Sequence, residues 1–139
     1  MVQVFDLGER LINFATSIIE LAEKLPATFS GRHLAGQVIR SGTAPALHYG
    51  EAQGGESRKD FIHKMKTALK ELRETQNALK IVQRVKWLEE REIAVMIDEN
   101  NQLISIFVKS IETATRNYEN EKKLKKKPLR KPEQDESTE

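Results

Sequence analysis

The stretch SRKDFIHKMKTALKELRETQNALKIVQR, residues 57–84, decides the fold. Phe61, Met65, Ala68, Leu72, Thr75, Leu79 and Val82 recur in it at spacings of 4-3-4-3-4-3. That is the seam of an amphipathic helix with one polar position, Thr75, and the strict alternation of a strand is absent. Ser57 stands where an N-cap belongs, and Asp60, three residues on, completes the capping-box spacing. The opposite face is equally regular. Lys59, Lys66, Lys70, Arg73, Lys80 and Arg84 fall in an arc of about 80° that follows one side of the helix for about 37 Å at 1.5 Å per residue. Asn77 lies among them, and Asp60, Glu71 and Glu74 lie outside the arc.

Three more helices are expected around this one. Upstream, Gln53-Gly54-Gly55 breaks the chain, and residues 30–54 form a second segment with Leu34, Val38, Ser41, Pro45 and Tyr49 on one face. Its residues are small (Gly36, Ser41, Gly42, Thr43, Ala44, Ala46), so a neighbouring helix can approach closely. Pro45 lacks a backbone donor and predicts a kink rather than a break, because the apolar face continues in phase on both sides. The first segment spans residues 6–25, with Asp6 and Glu9 at capping-box spacing and Leu7, Leu11, Phe14, Ile18, Leu21 and Leu25 on its seam. A second row, Ile12, Ala15, Ile19 and Ala22, widens its apolar arc beyond that of a minimal core-facing stripe. The fourth segment spans residues 89–117, with Ile93, Ile97, Asn100, Ile104, Phe107, Ile111, Ala114 and Tyr118 on its seam. Short connections favour antiparallel neighbours. The expected fold is all-α: an antiparallel up-down four-helix bundle with a kinked second helix. Its domain is residues 1–120, followed by a charged tail, 121–139, basic and then acidic, with too little apolar surface to offset the entropy of ordering it.

Composition narrows the function. The 139 residues include no cysteine, which removes disulfides, zinc-thiolate sites and thiol nucleophiles together. No apolar run approaches a membrane span and no signal peptide is read at the N-terminus, so a cytoplasmic location is expected. A net charge of +2 decides little, but its distribution decides more. Residues 56–86 carry nine Lys/Arg against four acids, whereas residues 89–99 carry five acids against Arg91 alone. Residues 122–131 are basic again and 133–139 acidic.

Chemistry is sparse. Asp60-x-x-His63 is half of a bundle metal motif and lacks its partners. No nucleophile elbow, phosphate loop or dinucleotide fingerprint is present. Gly54-Gly55 before a helix start is better read as a turn than as an anion site, and Asn100-Asn101 as a polar layer. His33, Gln37, Arg40 and Glu51 share the polar side of the second helix, as a solvated face or a contact network. Without an acid–base, nucleophile or metal constellation, no enzyme and no cofactor are expected.

Six aligned cations repel one another unless something negative offsets them. Either a polyanion binds with release of counterions, or acidic side chains of a neighbouring helix pair with them. Lys122, Lys123, Lys125, Lys126 and Lys127 of the tail add a cationic arm suited to non-specific RNA or DNA contact. Aromatic stacking groups are nearly absent from both regions, which argues against base-specific single-strand recognition. Val95 and Ile106 lie on one line away from the fourth helix's main seam and, with the wide arc of the first helix, point to a homo-oligomer.

The stretches QVIRSGTAPALHYGEA (37–52), SRKDF (57–61) and ALKELRET (68–75) resemble the bacterial four-helix bundle proteins, also called the ribosomal RNA intervening-sequence protein family. The likeness covers about residues 5–118. It implies an antiparallel bundle assembling as a ring, typically a pentamer, and kinship with the accessory proteins of diversity-generating retroelements. Those are basic, nucleic-acid-binding rings that work beside a reverse transcriptase. No catalytic residues come with the resemblance. Residues and resemblance together predict a non-enzymatic oligomeric bundle that binds nucleic acid through the third helix and the tail. The alternative is a protein-interaction scaffold or an accessory factor for a reverse transcriptase or another nucleic-acid enzyme.

Overall fold

The structure, a computed structural model, describes residues 6–55 and 57–126. Four helices account for nearly all of them: α1 (Leu7–Glu23), α2 (Phe29–Gln53), α3 (Arg58–Val85) and α4 (Glu90–Lys126). The caps read from sequence are in place. The Asp6 carboxylate accepts from the Glu9 N–H at 3.0 Å, and the Ser57 hydroxyl oxygen accepts from the Asp60 N–H at 3.0 Å. Each satisfies a backbone donor that the first helical turn leaves without an intrahelical partner. α2 starts one residue earlier than expected, with Thr28 as its cap, and runs unbroken through Pro45. α3 ends on Lys86 in the left-handed region, at φ 64°.

Cross-helix contacts fix the order and direction. Gly8 lies beside Tyr49 and Gly42 beside Ile18, so α1 and α2 are antiparallel. Ser41 meets Thr75 and Glu51 meets Lys64, so α2 and α3 are antiparallel. Asn100 reaches Leu72, and Arg58 reaches Glu121, which sets α4 antiparallel to α3. The backbone of α1 approaches α4 more sparsely than α2 and does not come close to that of α3, which stands at the diagonal corner.

The core is one continuous cluster from Leu11, Phe14 and Ile18 through Met65, Leu72 and Leu79 to Leu103 and Phe107. α1 and α2 approach closely because Gly42 has no side chain: a Cβ there would lie 2.8 Å from Ile18 Cγ2. A polar layer crosses the core. The buried Ser41 and Thr75 hydroxyls share a hydrogen bond of 2.8 Å. Asn100 Nδ2 donates to the Leu72 carbonyl and to Gln76 Oε1, both at 2.9 Å, while its Oδ1 meets no partner among the described residues.

Three expectations need correction. In α3 the first inward residue is Ile62, not Phe61; in α4 Met96 and Leu103 are buried, while Ile97 and Ile104 are only half covered. Each time the apolar face is broad enough to offer two adjacent seams, and the neighbouring helix selects one. The fourth helix also continues past residue 117 to Lys126. Lysine, leucine and glutamate are good helix formers, Glu121 pairs with Arg58 at 3.0 Å, and Lys122 Nζ sits 5.2 Å from the Tyr118 ring centre. The tail expected from residue 121 therefore begins as helix, and residues 127–139 lie outside the described residues.

Candidate nucleic-acid interface

The seam of α3 puts Met65, Ala68, Leu72, Thr75, Leu79 and Val82 inward, and the helical period then turns Lys59, Lys66, Lys70, Arg73, Lys80 and Arg84 outward. All six are exposed. They form a straight cationic ridge on the side of α3 opposite the core.

Among the described residues none of the six makes an ion pair. Two of the three acids of α3 are engaged elsewhere. Arg40 of α2 bonds Glu71 at 3.0 Å and Glu74 at 2.6 Å, with Gln37 Oε1 at 3.4 Å. Those two carboxylates, Glu74 first, hold the Arg40 guanidinium above its ordinary pKa. Arg40 thus belongs to a cross-helix clamp, with a consequence that its place on a polar helix face did not disclose. It draws negative charge to the α2–α3 boundary and away from the ridge. Lys64, on the flank of α3, is likewise taken up by Glu51 at 3.3 Å.

Lys122, Lys123, Lys125 and Lys126 lie on the last turns of α4. Since Glu121 pairs with Arg58, these lysines stand at the end of the bundle where the ridge begins with Lys59. Ridge and α4 terminus therefore share one end of the molecule. Lys127 lies outside the described residues.

Val95 and Ile106 do not share a hollow. Val95 is 60% exposed and borders a depression shared with Ser17, Glu20, Leu21 and Lys24 of the α1 corner. Ile106 is half-buried and lines a groove of about 660 Å³ between α3 and α4, with Phe61, Lys109 and Ala114. Sequence reasoning missed this groove because it placed Phe61 in the core. Asp60 and His63 gather no third ligand, for no group of three or more His, Cys, Asp or Glu comes together among the described residues. No helix among them is long and apolar enough to cross a membrane.

An all-α bundle carrying an exposed basic ridge on one outer face is the class of molecule these features define. The chain belongs to the 23S rRNA-intervening sequence protein family, whose pattern matches residues 5–109. Among solved structures it is similar to a protein of unknown function from the S23 ribosomal protein family of Bacteroides thetaiotaomicron VPI-5482. That match has 25% identity and a TM-score of 0.72, and covers 76% of this chain and 98% of the other. A search of the curated proteins gave no match.

Proposed function

We propose that the protein is a non-enzymatic helical bundle that binds nucleic acid through the α3 ridge and the basic end of α4, and that it works as a homo-oligomer. The observation that carries this is the ridge itself: six exposed cations in a row, with the nearby Glu71 and Glu74 bound to Arg40. A straight cationic ridge suits the backbone of a double-stranded RNA or DNA, where phosphates set affinity and sequence matters little. No aromatic residue lies in the arc, so unstacked bases find no platform there.

Self-association is supported by the exposed apolar residues Ile12 and Ile19 of α1 and Val95 of α4, and the family resemblance favours a ring, pentameric in type. A second reading, an adaptor for a reverse transcriptase or another nucleic-acid enzyme, is favoured by the apolar groove beside Phe61 and Ile106.

The test is the affinity of a labelled RNA duplex for the wild type and for a variant carrying Lys66→Glu, Lys70→Glu, Arg73→Glu and Lys80→Glu. Binding should fall by about 10²- to 10³-fold at moderate salt. Equal affinity with an intact helical spectrum would remove the ridge from the function.

A further inference from the structure

We infer that the ridge has an occupant within its own chain: the acidic segment Glu133, Asp135, Glu136 and Glu139 docks on the Lys66–Arg73 half of α3 when no nucleic acid is bound. The consequence for binding rests on the proposed function; the docking itself does not.

Three observations converge on it. First, the outer face of α3 holds a hollow of about 370 Å³ lined by Lys66, Leu69, Lys70, Arg73, Glu74 and Asn77. Leu69 forms a half-buried apolar floor and three cations stand around it. Glu74, the one acid at this hollow, is bound by Arg40, so its charge is already matched. Such a site suits a short acidic peptide, whose carboxylates make charge-assisted hydrogen bonds with Lys and Arg.

Second, the chain leaves the bundle at the right end. Arg58 pairs with Glu121, so the α4 terminus lies at the level where α3 starts. Lys126 is five residues further on, about 7.5 Å of helix beyond that level.

Third, the length fits. Glu133 and Glu139 follow Lys126 by 7 and 13 residues, which span at most about 25 and 47 Å when extended. Lys66 and Arg73 lie 8 and 15 residues along α3 from Arg58, about 12 and 22 Å. Adding the 7.5 Å overhang and about 10 Å to step across one helix brings the acids to Lys66, Lys70 and Arg73. Arg84, about 39 Å along α3, is beyond comfortable reach. The acidic segment therefore covers the near half of the ridge and leaves Lys80 and Arg84 open. Tethering makes it an intramolecular competitor at millimolar effective concentration. A duplex that binds must displace it, so the segment sets a threshold on affinity.

Zero-length carbodiimide cross-linking of the full chain, read by mass spectrometry in a mixture of isotopically heavy and light copies, tests the docking without nucleic acid. Glu133, Asp135, Glu136 or Glu139 should join Lys66 or Lys70 of the same copy at 50 mM salt, and the yield should fall at least fivefold at 0.5 M. Cross-links confined to Lys122–Lys131, or joining heavy to light copies, would overturn the inference. The functional arm uses the full chain with Glu133→Gln, Asp135→Asn, Glu136→Gln and Glu139→Gln. Its affinity for a duplex at 50 mM salt should rise about three- to tenfold. If neither protein binds a duplex but the cross-links form, the proposed function fails and the docking stands. If both bind equally, the docking has no bearing on affinity and the threshold is refuted.

Discussion

α1 and α3 occupy diagonal corners of the bundle and present outer faces of opposite character. The exposed face of α1 carries Ile12, Asn13, Thr16 and Ile19 with Glu9, Glu20 and Glu23, and no lysine or arginine. The exposed face of α3 carries six cations in one arc with no acid among them. Both faces lie opposite the core, and neither is forced by packing, since any polar residue satisfies a solvated helix face. The difference lies in where charge is spent. Cations on the flanks are matched across helix boundaries: Arg10 with Glu99 at 2.8 Å, Lys24 with Glu92, Arg40 with Glu71 and Glu74, Arg58 with Glu121. On the back of α3 none of the six cations makes an ion pair among the described residues. One corner is therefore built for apolar contact edged by acids, the other for an external anion.

Breaking the α1 corner should have the largest effect. Ile12→Lys with Ile19→Lys is expected to raise the concentration at which the oligomer dissociates by roughly 100-fold, through lost apolar burial and added like charge. Light scattering across a dilution series measures this, and affinity per subunit for a duplex at saturating ridge occupancy should hold. An unchanged oligomer mass would move self-association elsewhere.

Next comes the packing that both corners depend on. Gly42→Ala drives a Cβ to within 2.8 Å of Ile18, and overpacking of this kind costs about 1–3 kcal/mol. Alanine's better helix propensity offsets at most about 1 kcal/mol. Chemical denaturation should show a lower midpoint with an unchanged slope. A midpoint at or above that of the wild type would mean that α1 and α2 can separate freely.

How much of this was legible beforehand follows a simple division. Helix existence, order and caps depend on local signals, and Asp6, Ser57 and the Gly54-Gly55 break carried them. The alignment of the six cations on one arc also followed, but whether acids of a neighbouring helix pair with them was left open by the sequence. What depended on register between helices was not legible. The Arg40 clamp exists because antiparallel pairing sets residue 40 beside 71 and 74, and one strand of sequence does not encode that offset. The choice of Ile62 over Phe61, and of Met96 and Leu103 over Ile97 and Ile104, was likewise made by the neighbouring helix. The helical extension to Lys126 draws in part on the pairing of Glu121 with Arg58, sixty-three residues away from it.

Arg40→Ala sharpens the comparison with a smaller effect. It releases Glu71 and Glu74 to turn toward Lys70 and Arg73, so duplex affinity should fall a few-fold although no ridge residue has changed. Stability should barely move, since exposed ion pairs contribute little. An unchanged affinity in an anisotropy titration would show that the clamp does not protect the ridge.

The smallest effect is one of pH. The Lys64 ammonium, aided by His48, holds the Glu51 carboxyl below its ordinary pKa. A lowered folded-state pKa contributes stability that is present above the unfolded value and lost as pH falls through the folded one. Thermal melts of the wild type and Glu51→Gln should therefore differ slightly at neutral pH and converge on acidification below the carboxylate range. A difference that grew on acidification would reverse the assigned sign.

The most direct test is the salt dependence of duplex RNA binding. If the six ridge cations each neutralise a phosphate, the logarithm of affinity should fall against the logarithm of salt with a slope of about −5, or about 10³-fold between 50 and 200 mM. The slope should flatten in proportion as ridge residues are changed to glutamine. A wild-type slope near zero, or one indifferent to those changes, would contradict the assignment of the α3 ridge to nucleic acid.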